Sequence, residues 1–172
     1  MRRQIDWHLA QARATAAGPA PGARANIGDC ARGLARALER LYADRTLAIT
    51  VDVPADATAR VPLEDLEEML GNLLDNACKW AKSRVSVTAA LQPSRIVVDV
   101  DDDGVGLDPA MRDLVLSRGV RADEAAPGSG LGLAIVRELA GAYGGSVALD
   151  RSPDGGVRAR LTVPATERPT LP

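Results

Sequence analysis

Glu68, Asn72, Asn76 and Lys79 stand at i, i+4, i+8 and i+11 of a segment with helical apolar spacing, so they share a narrow arc of one face. Amide carbonyls are hard, uncharged oxygen ligands. They suit a magnesium ion already surrounded by phosphate oxygens and water, and Lys79 adds a cation for phosphate. A solvated helix face would give the same pattern, so this segment does not decide alone. A second segment, Asp102-Asp103-Gly104-Val105-Gly106, sets an acid where a strand ends in a bend, and its glycines permit conformations and close approaches that a Cβ forbids. Asp102 is placed to accept from an exocyclic amine, which favours adenine, whose N6 donates, over guanine, whose O6 accepts. A tight turn or a calcium loop is the rival reading, but the spaced oxygen ligands and closing Glu of an EF-hand are missing. Asp99 and Asp101 are expected to alternate outward. A third segment, Gly128-Ser129-Gly130-Leu131-Gly132, leads into an apolar helix whose unpaired amides can face phosphate. It lacks the Lys-Ser/Thr pair of a P-loop, and Arg118 and Arg121 precede it as candidate phosphate ligands or solvated loop charges. Each segment is weak alone; in this order they describe a split nucleotide pocket.

The elements that must position these residues fit one domain. The chain has 172 residues, 46% of them apolar, enough for one core and too few for two ordinary domains. A net charge of −2 supplies no basic field for nucleic acid, and 2% aromatics with no phenylalanine leave few surfaces for stacking bases. No apolar run approaches the roughly 18 residues that cross a bilayer, and the N-terminus lacks the apolar centre of a signal peptide, so a cytoplasmic location is expected. Cys30 and Cys78 fall in separate helical patterns without metal or redox spacing and read as core residues.

Residues 2–16 read as a helix broken at Gly18-Pro19-Ala20-Pro21-Gly22. A second helix is predicted over 26–44 with Asn26 as its cap, and a strand over 47–53. The next helix starts after Pro62 and turns Leu63, Leu66, Leu70, Leu73 and Ala77 to the core. Strands are predicted over 84–91 and 95–101, a helix over 109–116, a loop over 118–129, a helix over 130–142, and a hairpin of 146–150 with 157–163. Hairpins interleaved with helices and no repeating βαβ unit predict an α+β fold: a mixed sheet of about five strands covered on one face by three helices. The tail from Pro164 is expected to be disordered.

With these residues placed, the chain resembles the catalytic and ATP-binding domain of bacterial sensor histidine kinases, within the superfamily that includes gyrase, Hsp90 and MutL. Asn72 to Lys79 matches the family's N box, Asp102 to Gly106 its G1 box and Gly128 to Leu133 its G2 box; the run from Met69 to Trp80 looks most like PhoQ-like members. The resemblance implies a Bergerat-type two-layer α/β sandwich binding ATP and Mg²⁺. Asn72 and Asn76 would hold the metal, with Lys79 and Glu68 beside them in catalysis. Trp80, Asp102, Gly104, Gly106, Arg118, Arg121, Gly128, Ser129, Gly130, Leu131 and Gly132 would complete the nucleotide site. It implies residues 1–17 as the end of a dimerization helix, 18–25 as a linker, 26–164 as the catalytic domain and 165–172 as a tail.

There are two departures. The F box has no phenylalanine, so lid anchoring would fall to Leu114, Leu116 or Val120. His8, the only histidine, is followed by Leu9-Ala10-Gln11 and not by the acidic residue of a phosphoacceptor motif. The expectation is therefore a monomeric fragment of a homodimeric inner-membrane receptor kinase. Its partners would be its own dimerization and phosphoacceptor domain and a response regulator, with no nucleic acid and no direct membrane contact. Where gyrase-like ATPases carry a general-base glutamate four residues before the conserved asparagine, this chain has Asn72, which implies transfer to an imidazole over hydrolysis. An anti-sigma-factor serine kinase of the same fold, or a non-enzymatic ATP-gated binding module, is the alternative.

Overall fold

The computed structural model describes residues 22–117 and 131–166. In chain order these form β1 (Ala25–Asn26), α1 (Ile27–Leu41), β2 (Ala48–Asp52), β3 (Thr58–Ala59), α2 (Leu63–Trp80), β4 (Arg84–Leu91), β5 (Arg95–Asp102), a 3₁₀ turn (Pro109–Met111), α3 (Arg112–Val115), α4 (Gly132–Ala142), β6 (Ser146–Arg151) and β7 (Val157–Pro164). The main sheet has five strands in the order β2-β4-β5-β7-β6, with β2 parallel to β4 and the remaining pairs antiparallel. The α+β architecture with a mixed five-stranded sheet is thus as expected. The predicted helix over 109–116 is a 3₁₀ turn and a four-residue helix, so α1, α2 and α4 carry the helical layer.

Strand alternation sorts residues between the two faces. Val85 and Val87 of β4, Ile96, Val98 and Val100 of β5, and Ala159, Leu161 and Val163 of β7 are buried with the helices in one apolar core. On the opposite face, Asp99 lies across from Arg160 and Asp101 across from Arg158. The expected outward alternation of the two acids holds, but Asp101 is covered by the Arg158 guanidinium, which grips it with Nε–Oδ1 at 2.9 Å and Nη2–Oδ2 at 2.8 Å. Arg160 grips Asp99 in the same forked way.

Helix α1 begins where expected: the Asn26 side chain accepts from Asp29 N at 2.9 Å. It ends at Leu41, short of the predicted 44, where Tyr42 N closes the last turn on Leu38 O. In α2 the buried stripe is Leu66, Met69, Leu70, Leu73, Leu74, Ala77 and Cys78, while Leu63, expected in the core, is 50% exposed. It occupies the first helical position, where the chain has not yet turned onto the sheet. Cys30 and Cys78 are buried free thiols, and burial pushes them up to about 12 and about 11, so both stay protonated at neutral pH.

Two features were not read from the sequence. The two-residue strands β1 and β3 pair with each other, and Ala165 bridges Ala59. Thr166 N donates to Thr58 O at 3.0 Å and Ala165 N to Ser94 O at 2.9 Å, so ordered pairing runs past Pro164, where a disordered tail was expected to begin. The second feature is Asp103, whose Oδ1 accepts from Lys82 N, Ser83 N and Arg84 N at 2.8, 3.0 and 3.1 Å and whose Oδ2 accepts from Ser83 Oγ at 2.7 Å. This carboxylate closes the turn from α2 into β4. Desolvation pushes its pKa up, but the bonds from Ser83, Arg84 and Lys82 outweigh that and hold it well below the ordinary carboxylate value. A lowered folded pKa contributes stability that is present above the unfolded pKa and lost as pH falls through the folded one. Asp103→Ala is therefore expected to lose about 1–2 kcal/mol at neutral pH. Urea titrations of variant and wild type should converge as the solution is acidified; a deficit independent of pH would contradict the charge argument.

Candidate functional site

The polar ridge of α2 is half-buried along its length: Glu68, Asn72, Asn76 and Lys79 are neither in the core nor fully in solvent. Asn72 Nδ2 donates to Glu68 O at 2.8 Å, which commits the amide nitrogen and turns Oδ1 outward. Facing Oδ1 is Gly132, the first residue of α4, where a Cβ would stand 2.8 Å from that oxygen. The first and third segments therefore meet at close range, and any side chain at 132 would push the Asn72 amide away from its present position. Leu131, just before α4, is buried and accepts from Ile135 N at 2.9 Å, closing the first turn of that helix.

Asp102, the last residue of β5, is 2% exposed. Its Oδ1 accepts from Gly104 N at 2.8 Å and Val157 N at 3.3 Å, and its backbone carbonyl accepts from Gly156 N at 3.2 Å. Among the described residues both side-chain bonds fall on Oδ1, which leaves Oδ2 for a ligand. Burial raises the pKa of this carboxyl, the bonds from Gly104 and Val157 oppose the rise, and the neighbouring charges of Asp103 and Asp101 add to it. Gly104 presses on the carbonyl of Trp80, where a Cβ would be 2.4 Å away, so the second segment abuts the C-terminal end of α2. Gly106 takes φ +80 and backs onto the β6–β7 turn, its would-be Cβ 3.3 Å from Gly155 O.

All three segments thus converge along α2: Gly132 at Asn72, and Gly104 with Asp102 beyond Trp80. Arg118, Arg121, Gly128, Ser129 and Gly130 lie outside the described residues, as does Val120. Of the residues expected to anchor a lid, Leu116 is buried and Leu114 is 49% exposed, and its neighbour Val115 is buried in its place. Arg112 ties the same short helix to β6 by an ion pair with Asp150 at 2.7 Å. Sequence reading also passed over Gly156, seen only as a turn residue, and Tyr42, whose hydroxyl bonds Asp75 33 residues away while Arg45 lies against its ring.

The sequence profile described as "Histidine kinase-, DNA gyrase B-, and HSP90-like ATPase" matches residues 62–167, and the chain belongs to this family of ATPase domains. It is 46% identical over 138 residues to the sensor protein kinase CarS of Pseudomonas aeruginosa, across 79% of this chain and 31% of CarS. To the virulence sensor histidine kinase PhoQ of Salmonella typhimurium it is 35% identical over 128 residues, 74% of this chain and 26% of PhoQ. The chain thus spans less than a third of either relative, and the PhoQ-like resemblance is confirmed at that level. The solved structure of full-length ShkA in complex with AMPPNP superposes with a TM-score of 0.78 at 27% identity, covering 97% of this chain and 36% of ShkA. The fold and these relatives define an ATP-binding catalytic domain of the sensor histidine kinase type. No described helix is long and apolar enough to cross a membrane.

Proposed function

We propose that this chain binds Mg-ATP in the cleft where α2, the bend after β5 and the start of α4 meet, and that it transfers the γ-phosphoryl group to a histidine of a dimerization domain. The observation that carries this is the convergence of Asn72, Gly132 and the buried Asp102 on one helix. Asp102 Oδ2 accepts from the adenine amine; guanine would set a carbonyl oxygen against the same carboxylate. Gly104 and Gly106 let the bend pack against the end of α2 and the β6–β7 turn, which holds Asp102 beside the base, and Trp80 borders it.

A magnesium ion suits the donors present. Among the described residues no cluster of three His, Cys, Asp or Glu side chains is available to hold a metal. An ion taken up by the amide oxygens of Asn72 and Asn76 must therefore fill its remaining positions with phosphate oxygens and water, as magnesium does beside nucleotides. When bound, it offsets charge on the phosphates. Lys79 adds a positive charge from the same ridge, and Gly128 to Leu131, Arg118 and Arg121 complete the phosphate side. In the transfer, an imidazole nitrogen forms the new bond to phosphorus as the bond to the bridging oxygen of the ADP leaving group breaks. Asn72, an amide, cannot accept a proton from water, which keeps hydrolysis slow; Glu68, one turn away, orients the incoming imidazole. The larger protein would be a homodimeric receptor kinase whose product is passed to a response regulator, with this domain on the cytoplasmic side.

Calorimetric titration with AMP-PNP, with and without Mg²⁺ and against a GTP analogue, tests the site. Adenine-selective, Mg²⁺-dependent binding that disappears in Asn76→Ala is the expected result; equal binding of both nucleotides would remove Asp102 as the reader of the base. Labelled ATP with a supplied dimerization domain then tests transfer. Binding without transfer would favour an ATP-gated interaction module.

A further inference from the structure

Beneath Lys79 lies a connected set of side chains from the other end of the helical layer. Its ammonium pairs with Asp75 Oδ2 at 2.5 Å, and the other carboxylate oxygen, Oδ1, accepts from the Tyr42 hydroxyl at 2.8 Å. Tyr42 caps the C-terminus of α1, and the Arg45 guanidinium lies 5.9 Å from its ring centroid. Arg45 in turn donates to Cys78 O at 2.6 Å and Ala81 O at 2.5 Å, carbonyls that the end of α2 leaves without intrahelical partners. The connection between α1 and β2 therefore clamps the C-terminal turn of α2 and the carboxylate beside Lys79 together. Burial, with the bond to Asp75 adding to it, pushes the Tyr42 hydroxyl far above its ordinary pKa, so it remains a donor.

A lysine near a helix end ordinarily extends into water with its rotamer freedom intact. Here the partner lies four residues earlier, which draws the ammonium back along the helix by about one turn, toward the level of Asn72 and Asn76. Asp75 occupies one of the three ammonium N–H donors and leaves two for a ligand. An already ordered side chain also loses less freedom when an anion arrives.

We propose that Tyr42 is a positioning residue for phosphate recognition: its hydroxyl fixes the Asp75 carboxylate, which holds the Lys79 ammonium beside the two asparagines. This rests on the reading of the cleft as an ATP site. Tyr42 touches no nucleotide itself; its effect reaches the phosphates only through Lys79.

The test titrates the whole chain with adenosine and with Mg-AMP-PNP, comparing wild type, Tyr42→Phe, Lys79→Met and the double variant. Tyr42→Phe keeps the ring and removes one hydroxyl; it should weaken AMP-PNP binding about three- to tenfold and leave adenosine affinity unchanged. In the Lys79→Met background it should add nothing. Equal losses for both ligands, no loss, or a loss that persists without Lys79 would overturn the proposal. Asp75→Asn, which keeps a partner for Tyr42 and removes the ion pair, covers the case of a poorly folded Tyr42→Phe. It should give the same phosphate-selective loss, and tighter AMP-PNP binding would show that Asp75 competes with phosphate for Lys79 and would overturn the proposal as well. A wild-type chain that binds neither ligand would remove the ATP site and this inference together; a wild type that binds while Tyr42→Phe is indistinguishable from it removes the inference alone.

Discussion

Asp102→Asn is expected to weaken adenine-nucleotide binding by on the order of a hundredfold while leaving the domain at least as stable as the wild type. The two effects have one cause. Asp102 is an almost fully buried carboxyl group whose pKa is raised, first of all by desolvation, so the fold penalises its charged form. Because the folded pKa lies above the unfolded value, the native state binds the proton more tightly. Stability therefore declines as pH rises from the unfolded carboxylate range through the folded pKa, and does not recover above it. An asparagine keeps an oxygen for Gly104 N and Val157 N and carries no charge to desolvate. Its nitrogen, however, sets a donor against the donor on adenine. Calorimetry with AMP-PNP and a thermal melt of the same sample check both halves. Wild-type affinity would remove Asp102 from the base site, and a collapsed melting temperature would show that its ionised form serves the fold.

Gly156→Ala should destabilise the domain strongly, with a loss of about 3 kcal/mol or more and a fall of roughly 6–12 °C in Tm. A Cβ there would stand 2.0 Å from Asp102 Oδ1 and 2.5 Å from both Asp102 O and Gly104 N. Two of those atoms are backbone, so no rotamer change relieves the overlap. Either the β6–β7 turn or the end of β5 must move, and movement of β5 carries Asp102 with it, so nucleotide affinity should fall too. Gly155→Ala is the control: its Cβ would meet nothing within 4 Å, and only its φ of +105 penalises a side chain. Urea unfolding should rank Gly156→Ala well below Gly155→Ala, and a wild-type midpoint for the former would contradict the geometry.

How much of this was legible in the sequence depended on the range of the interaction. Helix α2 was legible because a helical period runs from Leu66 to Ala77 behind Pro62. Strands β4 and β5 were legible because Val85 and Val87 flank Ser86, Val98 and Val100 flank Asp99, and both runs are rich in β-branched residues. The three glycine and asparagine segments announced a site because their chemistry is local to each. The two-residue strands β1 and β3 carry no period to detect; they exist because Ala25, Ala59 and Ala165 meet in space. Asp103 read as one more acid in an acidic run, since its donors lie about 20 residues earlier. The bond from Tyr42 to Asp75 crosses 33 residues, and nothing in either neighbourhood marks it.

Leu116 and Leu131, which flank the stretch over 118–130, are both buried in the same core. Both residues that bound it are therefore restricted as core residues are: size and shape, not chemistry toward a ligand, decide what can replace either leucine.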